Sequence, residues 1–514
     1  MAKSRLFRST MVISAMTMLS RILGLLRDVV LMGVFGAGGL MDAFLVAFKI
    51  PNFLRRLFAE GAFSQAFVPV LTEYKEKNSL DEVRLLISSV SGCLLSILMT
   101  LTVIVIVFAP IVVDLFAPGF DAIKSDMAST LLRLTFPYLL FISMTAFLGS
   151  ILQSYGRFAM PAFAPVLLNL SMITAAIVIA PMLNTPIMAL GFAVAVAGIL
   201  QMAIQLPQLF AQKLLAPPKV DFKHEGVKRI LALMLPAIFG VSVTQINLLL
   251  NTVFASLMQG GSVSWLYAAE RLSELPLGLI GVAIGTVILP SLSSSIAKAD
   301  ESGFKNTLSW ATRLIILVGL PASVAIFVLS DVLMTTLFVR GEFSHHDATM
   351  SAIALKSMAG GILGFMLIKI FAPAFFARQD TKTPVKIGIA SVFANMIFSV
   401  LFIGVFHLLD LPLHGGLALA TTGASFINAG LLYFFLQKQG IWQFDRTWKK
   451  PFAQFGFATL MMAITLYLIL PHFPTHGSEW LRVVALIGIC AIGATVYGVT
   501  LLITGFRPSQ LKHG

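Results

Sequence analysis

Long apolar runs alternate with short polar stretches from one end of the chain to the other. Fourteen runs reach the roughly 20 mostly apolar residues that crossing a bilayer takes: 11–35, 40–72, 86–112, 129–152, 160–182, 187–207, 230–256, 263–296, 309–332, 349–376, 385–407, 414–436, 452–471 and 481–505. The first, second and eighth carry charges within them and are weak by hydropathy alone. With the N-terminus inside, the inner segments hold 24 Lys and Arg, whereas the outer loops hold only Lys124 and Arg340, with Arg482 at an edge. That asymmetry follows the positive-inside rule and predicts that both termini are cytoplasmic. The first segment has the basic start and apolar stretch of a signal peptide. Arg21 breaks its apolar run, however, and no A-x-A cleavage site follows, so it reads as an uncleaved first span.

Composition fits only this class. Of 514 residues 58% are hydrophobic and 11% charged, with a mean hydropathy of +0.92. Ordinary soluble domains carry about 25% charge, and so few charges could not cover a soluble surface of this size. A disordered chain would be charge-rich and poor in apolar residues. The net charge of +13 is mostly topology, and with no soluble domain to carry it, it does not point to nucleic acid. Cys93 and Cys490 lie in apolar runs and form neither a disulfide framework nor a metal site. No P-loop, H-E-x-x-H or G-x-S-x-G occurs, so the reading is a transporter without an ATP-binding motif rather than an enzyme. The stretches KHEGVKR and DRTWKK are inner-loop charge suited to anionic membrane lipids. His345, His346 and Asp347 read as solvated loop residues.

A weak repeat runs through the chain. Pro69 matches Pro290 at an offset of 221, Leu115–Gly119 matches Leu337–Gly341 at 222, and Arg157–Pro161 matches Asp380–Pro384 at 223. The offset spans six helices, and an even number preserves orientation, giving parallel repeats about an axis along the membrane normal. The expected fold is an all-α polytopic membrane protein with 14 transmembrane helices. Two parallel six-helix lobes, 1–225 and 226–440, would surround a central cationic cavity, and 441–514 would add two extra C-terminal helices. One lobe rocking against the other is the physical basis of alternating access.

Charges inside the spans are the chemical signal. Nine cations lie there, Arg21, Arg27, Lys49, Arg55, Arg56, Arg133, Arg271, Lys356 and Lys369, with five acids, Asp28, Asp42, Glu60, Glu270 and Glu274. Eleven of these fourteen fall in spans 1, 2 and 8. Facing lipid, the five Arg among them would cost on the order of 12–17 kcal/mol at roughly 2.5–3.5 each, a typical protein's whole net stability. They must face protein or water. Arg21 and Asp28 share a helical face with Gly24 between them, and Asn52, Arg56, Glu60 and Ser64 form an i,i+4 ladder on which Arg56 and Glu60 can pair. Pro51 frees a backbone carbonyl beside these charges. A self-neutralising network that only locks helices would use the same residues. Two features favour binding: guanidiniums exceed what the acids can pair bidentately, and Arg's planar fork suits phosphate. Asp42 and Glu60 would orient the arginines or exchange protons. Lys356 and Lys369 read as structural or snorkelling.

The residues MTMLSRILGLLRDVVLMGVFG, then MDAFLVAFKIPNFLRRLFAEGAFSQAFVPVLTEYK, resemble the start of the MurJ (MviN) lipid II flippases of the MOP exporter superfamily. GVSVTQINLLLNTVFAS, GSVSWLYAAERLSELPLGLIGVAIGTVILPSLS, FAPAFFARQDTKTPVKI and the two C-terminal helices extend the resemblance over the whole chain, and the F-A-E-G-A-F-S-Q-A-F-V-P run is its most specific part. It implies a protein of the bacterial inner membrane serving peptidoglycan synthesis and cell shape. Its substrate would be lipid II, the undecaprenyl-pyrophosphate-linked disaccharide-pentapeptide, moved from the cytoplasmic to the periplasmic face. Cavity arginines would be Arg21, Arg27, Arg55 and Arg271, accompanied by Asp28, Asp42 and Glu274, with helices 13 and 14 forming a groove for the lipid tail. Cell-wall synthesis machinery is an implied partner. The resemblance leaves open membrane potential, at roughly 2.3 kcal/mol per charge per 100 mV, or Na+ or H+ as the driving force. Some members have a sodium site in the second lobe, and no residue here is matched to it. The rival reading is a cation-coupled drug or oligosaccharide-lipid exporter, which predicts a cavity of acids and aromatics. A structural scaffold for cell-wall enzymes would tolerate loss of the charged cluster.

Overall fold

A computed structural model describes residues 2–56, 63–474 and 478–507. The described residues are helical almost throughout and form no strand, only an isolated bridge between Arg340 and Phe343. Ten helical segments among them are long and apolar enough to cross a membrane. These ten match the predicted spans 3 to 6 and 9 to 14. The segments predicted as spans 1, 2, 7 and 8 are also helical. They fall on α1 (Ala2–Phe35), α2 (Gly39–Arg55) with α3 (Ser64–Lys77), α11 (Glu225–Ser256) and α12 (Ser262–Ala297). The structure is thus that of an all-α, multi-pass membrane protein.

Contacts divide the chain into two compact units, Met1–Ser264 and Trp265–Gly514. The first also contains α4 (Leu80–Val107), α5 (Ala109–Phe116), α6 (Ala122–Thr135), α7 (Tyr138–Ser154), α8 (Ala159–Thr174), α9 (Met188–Ala203) and α10 (Leu206–Ala211). Here α1 packs on α8, α2 on α6, and α11 on α3 and α4. Phe63, Phe67, Phe147, Ile151, Val227 and Ile230 belong to one buried cluster, with the Phe67 and Phe147 rings 5.0 Å apart. The second unit contains α13 (Glu301–Phe338), α14 (His345–Ala377), α15 (Lys382–Leu408), α16 (Leu413–Lys438), α17 (Lys449–Ile469) and α18 (Glu479–Ile503). Helices α13, α14 and α16 pack together. The α17–α18 pair lies against α13 through Leu329, Val332, Met462, Leu466, Leu486 and Ile489.

Helix ends are set by local chemistry. Ser79 with Glu82, and Ser344 with Asp347, form capping boxes that satisfy the first N–H groups of α4 and α14. The paired motifs in the sequence also share backbone geometry. After α7, Gly156 adopts φ +74° and the Arg157 N–H donates to the Leu152 carbonyl at 2.8 Å. After α14, Gln379 adopts φ +63° and the Asp380 N–H donates to Phe375 at 3.0 Å. Both are left-handed C-terminal caps, and each leads into a helix with Pro as its third residue, Pro161 and Pro384. The Gly119 and Gly341 pair is different. A Cβ on Gly119 would lie 2.3 Å from the Ser256 carbonyl oxygen, whereas Gly341 sits at φ +55°.

Prolines inside helices leave carbonyls four residues earlier without their usual donor. Pro51 frees the Ala47 carbonyl, and Thr135 Oγ1 of α6 donates to it at 3.0 Å. That carbonyl is therefore used in packing α2 against α6. Pro321 does the same for Leu317, whose carbonyl accepts from Tyr497 Oη of α18 at 2.6 Å. Replacing Thr135 with Val, or Tyr497 with Phe, strands one buried carbonyl and should cost about 1–3 kcal/mol. The melting temperature of each purified variant reads this out, and wild-type values would reject the assignment.

Candidate functional site

The charged positions of the first span are fixed by α8. Arg27 is 5% exposed and donates from Nε and Nη2 to Asp28 Oδ1, at 2.9 and 2.7 Å. Its Nη1 donates to Asn169 Oδ1 of α8 at 3.1 Å, and Asn169 Nδ2 donates to the Ser20 carbonyl at 3.0 Å. Arg27 and Asp28 are thus brought together as a buried pair, while Arg21 is exposed. The placement follows from an apolar helix with few polar breaks: Gly24 keeps the α8-facing surface of α1 low, and a polar residue on α8 meets it there.

On α2, Asp42 is buried and accepts three hydrogen bonds. They come from the Gly261 N–H at 2.7 Å, the Ser264 N–H at 2.9 Å and Ser264 Oγ at 2.6 Å. Asp42 thereby caps the start of α12, where the first N–H groups have no partner within the helix and the positive end of the dipole favours a carboxylate. Further along, Arg55 Nε donates to Asn52 Oδ1 at 3.2 Å, and Asn52 Nδ2 donates to the Phe48 carbonyl at 2.8 Å. Lys49 is half-buried and Arg56 exposed. Glu60, and with it the predicted Arg56–Glu60 pair, lies outside the described residues.

In the second unit, Arg271 Nη1 meets Glu274 Oε2 at 3.3 Å and Nη2 donates to Tyr267 Oη at 3.0 Å. The guanidinium also lies 4.7 Å from the centroid of that tyrosine ring, a cation–π contact. Glu270 is half-buried. Lys356, read as structural or snorkelling, pairs with Asp331 of α13 at 2.5 Å. Asp347, read as a solvated loop residue, is instead buried in the first turn of α14. It accepts from Trp265 Nε1 at 2.9 Å while capping its own helix through Ser344. Sequence reasoning passed over Asn169, Tyr267 and Asp331. Each was visible as a polar residue inside an apolar run.

At the polar end of α3, Arg229 of α11 meets Glu73 at 2.7 Å and Lys77 meets it at 3.1 Å. The hydrogen bond from Lys77, then that from Arg229, hold the Glu73 carboxyl below its ordinary range. This exposed contribution is present at neutral pH and fades as pH falls through the carboxylate range.

A sequence profile of the lipid II flippase MurJ family matches residues 31–486. A Haemophilus influenzae protein described as a probable lipid II flippase is 43% identical over 513 residues, covering 96% of this chain and 99% of its own. Among solved structures, a lipid II flippase MurJ in an inward closed conformation superposes with a TM-score of 0.80 at 27% identity, covering 96% of this chain and 98% of its own. An inward-facing MATE family multidrug transporter of the MOP superfamily gives 0.66 at 16% identity, covering 84% and 98%, and shares the fold.

The Asp42 cap makes a local prediction. In Asp42→Asn one oxygen becomes a donor facing N–H groups, so one or more of the three bonds is lost. Amide hydrogen exchange over residues 261–264 should accelerate by about tenfold or more, from a loss of 1.5–3 kcal/mol per bond to a charged acceptor. Unchanged exchange there would remove Asp42 from this role.

Proposed function

The chain belongs to the lipid II flippase MurJ family, and from that premise we propose that it moves lipid II from the cytoplasmic to the periplasmic face of the bacterial inner membrane. The pyrophosphate is held by Arg21, Arg27, Arg55 and Arg271, with Arg56 close by; Asp28 and Glu274 orient Arg27 and Arg271, Glu60 is given the same role, and Asp42, expected to orient the arginines, instead holds the start of α12. The observation that carries this reading is the chemistry of the held guanidiniums. Asn52 Oδ1 accepts from Arg55, and Tyr267 Oη accepts from Arg271, which also meets Glu274. A neutral acceptor orients the planar fork without adding a negative charge of its own, which suits recognition of phosphate oxygens.

In this reading the fourteen spans form two parallel six-helix lobes, 1–225 and 226–440, with both termini cytoplasmic. Lobe rocking carries the polar headgroup across in a cationic cavity, and the polyprenyl tail stays in lipid along the two helices of 441–514. No nucleotide is hydrolysed. Membrane potential acting on the headgroup's negative charge, or a coupled Na+ or H+, supplies the drive. The cell-wall synthesis machinery receives the exported precursor.

A cation-coupled exporter of drugs or oligosaccharide-lipids is the second reading, supported by the MATE-like fold. Native mass spectrometry of the purified protein separates the two. Bound lipid II that pyrophosphate displaces supports the flippase, and cation-coupled dye efflux without such binding supports the exporter. In cells relying on an Arg271→Ala version at normal protein level, lipid II should fail to reach the outer face. Undiminished export would sink the role given to Arg271.

A further inference from the structure

We infer that Asn169 is a positioning residue for the headgroup, setting the guanidinium of Arg27 rather than merely joining two helices. The inference rests on the flippase reading above and adds to it a residue on a different helix, 142 positions away in sequence.

The amide's orientation is dictated by its partners. Arg27 Nη1 can only donate, so it must face Oδ1, and the Ser20 carbonyl can only accept, so it must face Nδ2. Among side chains of this size only asparagine answers both. An aspartate would set a carboxylate oxygen against the Ser20 carbonyl and bring a second acid to Arg27 beside Asp28. A leucine would answer neither, leaving polar groups stranded in a buried contact.

The two anchor points also matter. Ser20 immediately precedes Arg21, and Arg27 lies two turns further on, so one side chain from α8 holds α1 at both of its arginine-bearing turns. With Asp28 on Nε and Nη2 and Asn169 on Nη1, all three guanidinium nitrogens have a named acceptor and the plane is set. The acceptor on the α8 side is neutral, as Asn52 is for Arg55 and Tyr267 for Arg271. A packing role would need only shape and any hydrogen bond. A neutral oxygen recurs at three arginines, beside a carboxylate at Arg27 and Arg271, and orients each fork without adding negative charge.

The test uses the full-length purified protein, with undecaprenyl pyrophosphate as the probe, titrated by native mass spectrometry. Asn169→Ala should weaken binding about tenfold, the loss of one charge-assisted hydrogen bond, and the isosteric Asn169→Asp, which keeps an acceptor for Arg27 but sets a second negative charge beside it, should weaken binding at least as much. The longer Asn169→Gln, which keeps both polar ends, should recover part of the loss. Adding Asn169→Ala to Arg27→Ala should weaken binding no further than Arg27→Ala alone, because the amide acts through that guanidinium. Wild-type affinity in both the Ala and Asp variants overturns the inference, as do losses that add independently of Arg27. A fall in melting temperature with affinity unchanged identifies a packing residue and overturns it as well. Where the Ala variant does not fold, the Asp and Gln variants decide by the same criteria. Failure of the wild-type protein to bind the probe would instead strike the flippase reading itself.

Discussion

A carbonyl or N–H buried in hydrocarbon finds no water, and any left unpaired costs several kcal/mol. The helix answers this for most of the backbone, and the places where it cannot are where this structure spends its polar side chains. Pro51 and Pro321 each open a gap in a helix, and Thr135 and Tyr497 close them from neighbouring helices. The first turn of α12 exposes N–H groups, and Asp42 accepts from them across 219 and 222 positions of sequence. Helix packing in both units is thus pinned at points where the backbone itself asks for a partner.

The same constraint shapes the charged residues. An arginine kept out of water needs its donors filled. Amide and phenol oxygens fill some of them. Asn52 and Tyr267 sit on the same helices as their arginines, so local spacing delivers them, whereas Asn169 depends on α8 packing against α1. Charge pairing accounts for the rest: Asp28 meets Arg27 and Glu274 meets Arg271.

Much of this was legible in the sequence, and what was not has a common cause. Apolar run length located the helices because burial of a run is a property of its own composition. The cost of charge in lipid singled out Arg27, Asp28, Asp42 and Arg271 without reference to any neighbour. Partners were the blind spot. Nothing in the run around Asn169 says that it meets Arg27, and Asp331, at the edge of its span, gave no sign of Lys356. The carbonyl behind Pro51 was foreseen, but Thr135 lies in another predicted span and only packing reveals that it is the donor. Asp347 misled for a related reason. His345-His346-Asp347 has the polarity of a solvated loop, and both histidines are exposed, yet it opens a helix and Asp347 in that first turn is buried against Trp265.

The matched turns after α7 and α14 follow one backbone path with different residues. One is closed by Gly156 and the other by Gln379, and a residue with a Cβ in that left-handed region carries a penalty of roughly 1–2 kcal/mol. The same bend thus forms with glycine at no conformational cost and with glutamine at some, so what the two turns share is the direction in which the chain leaves its helix.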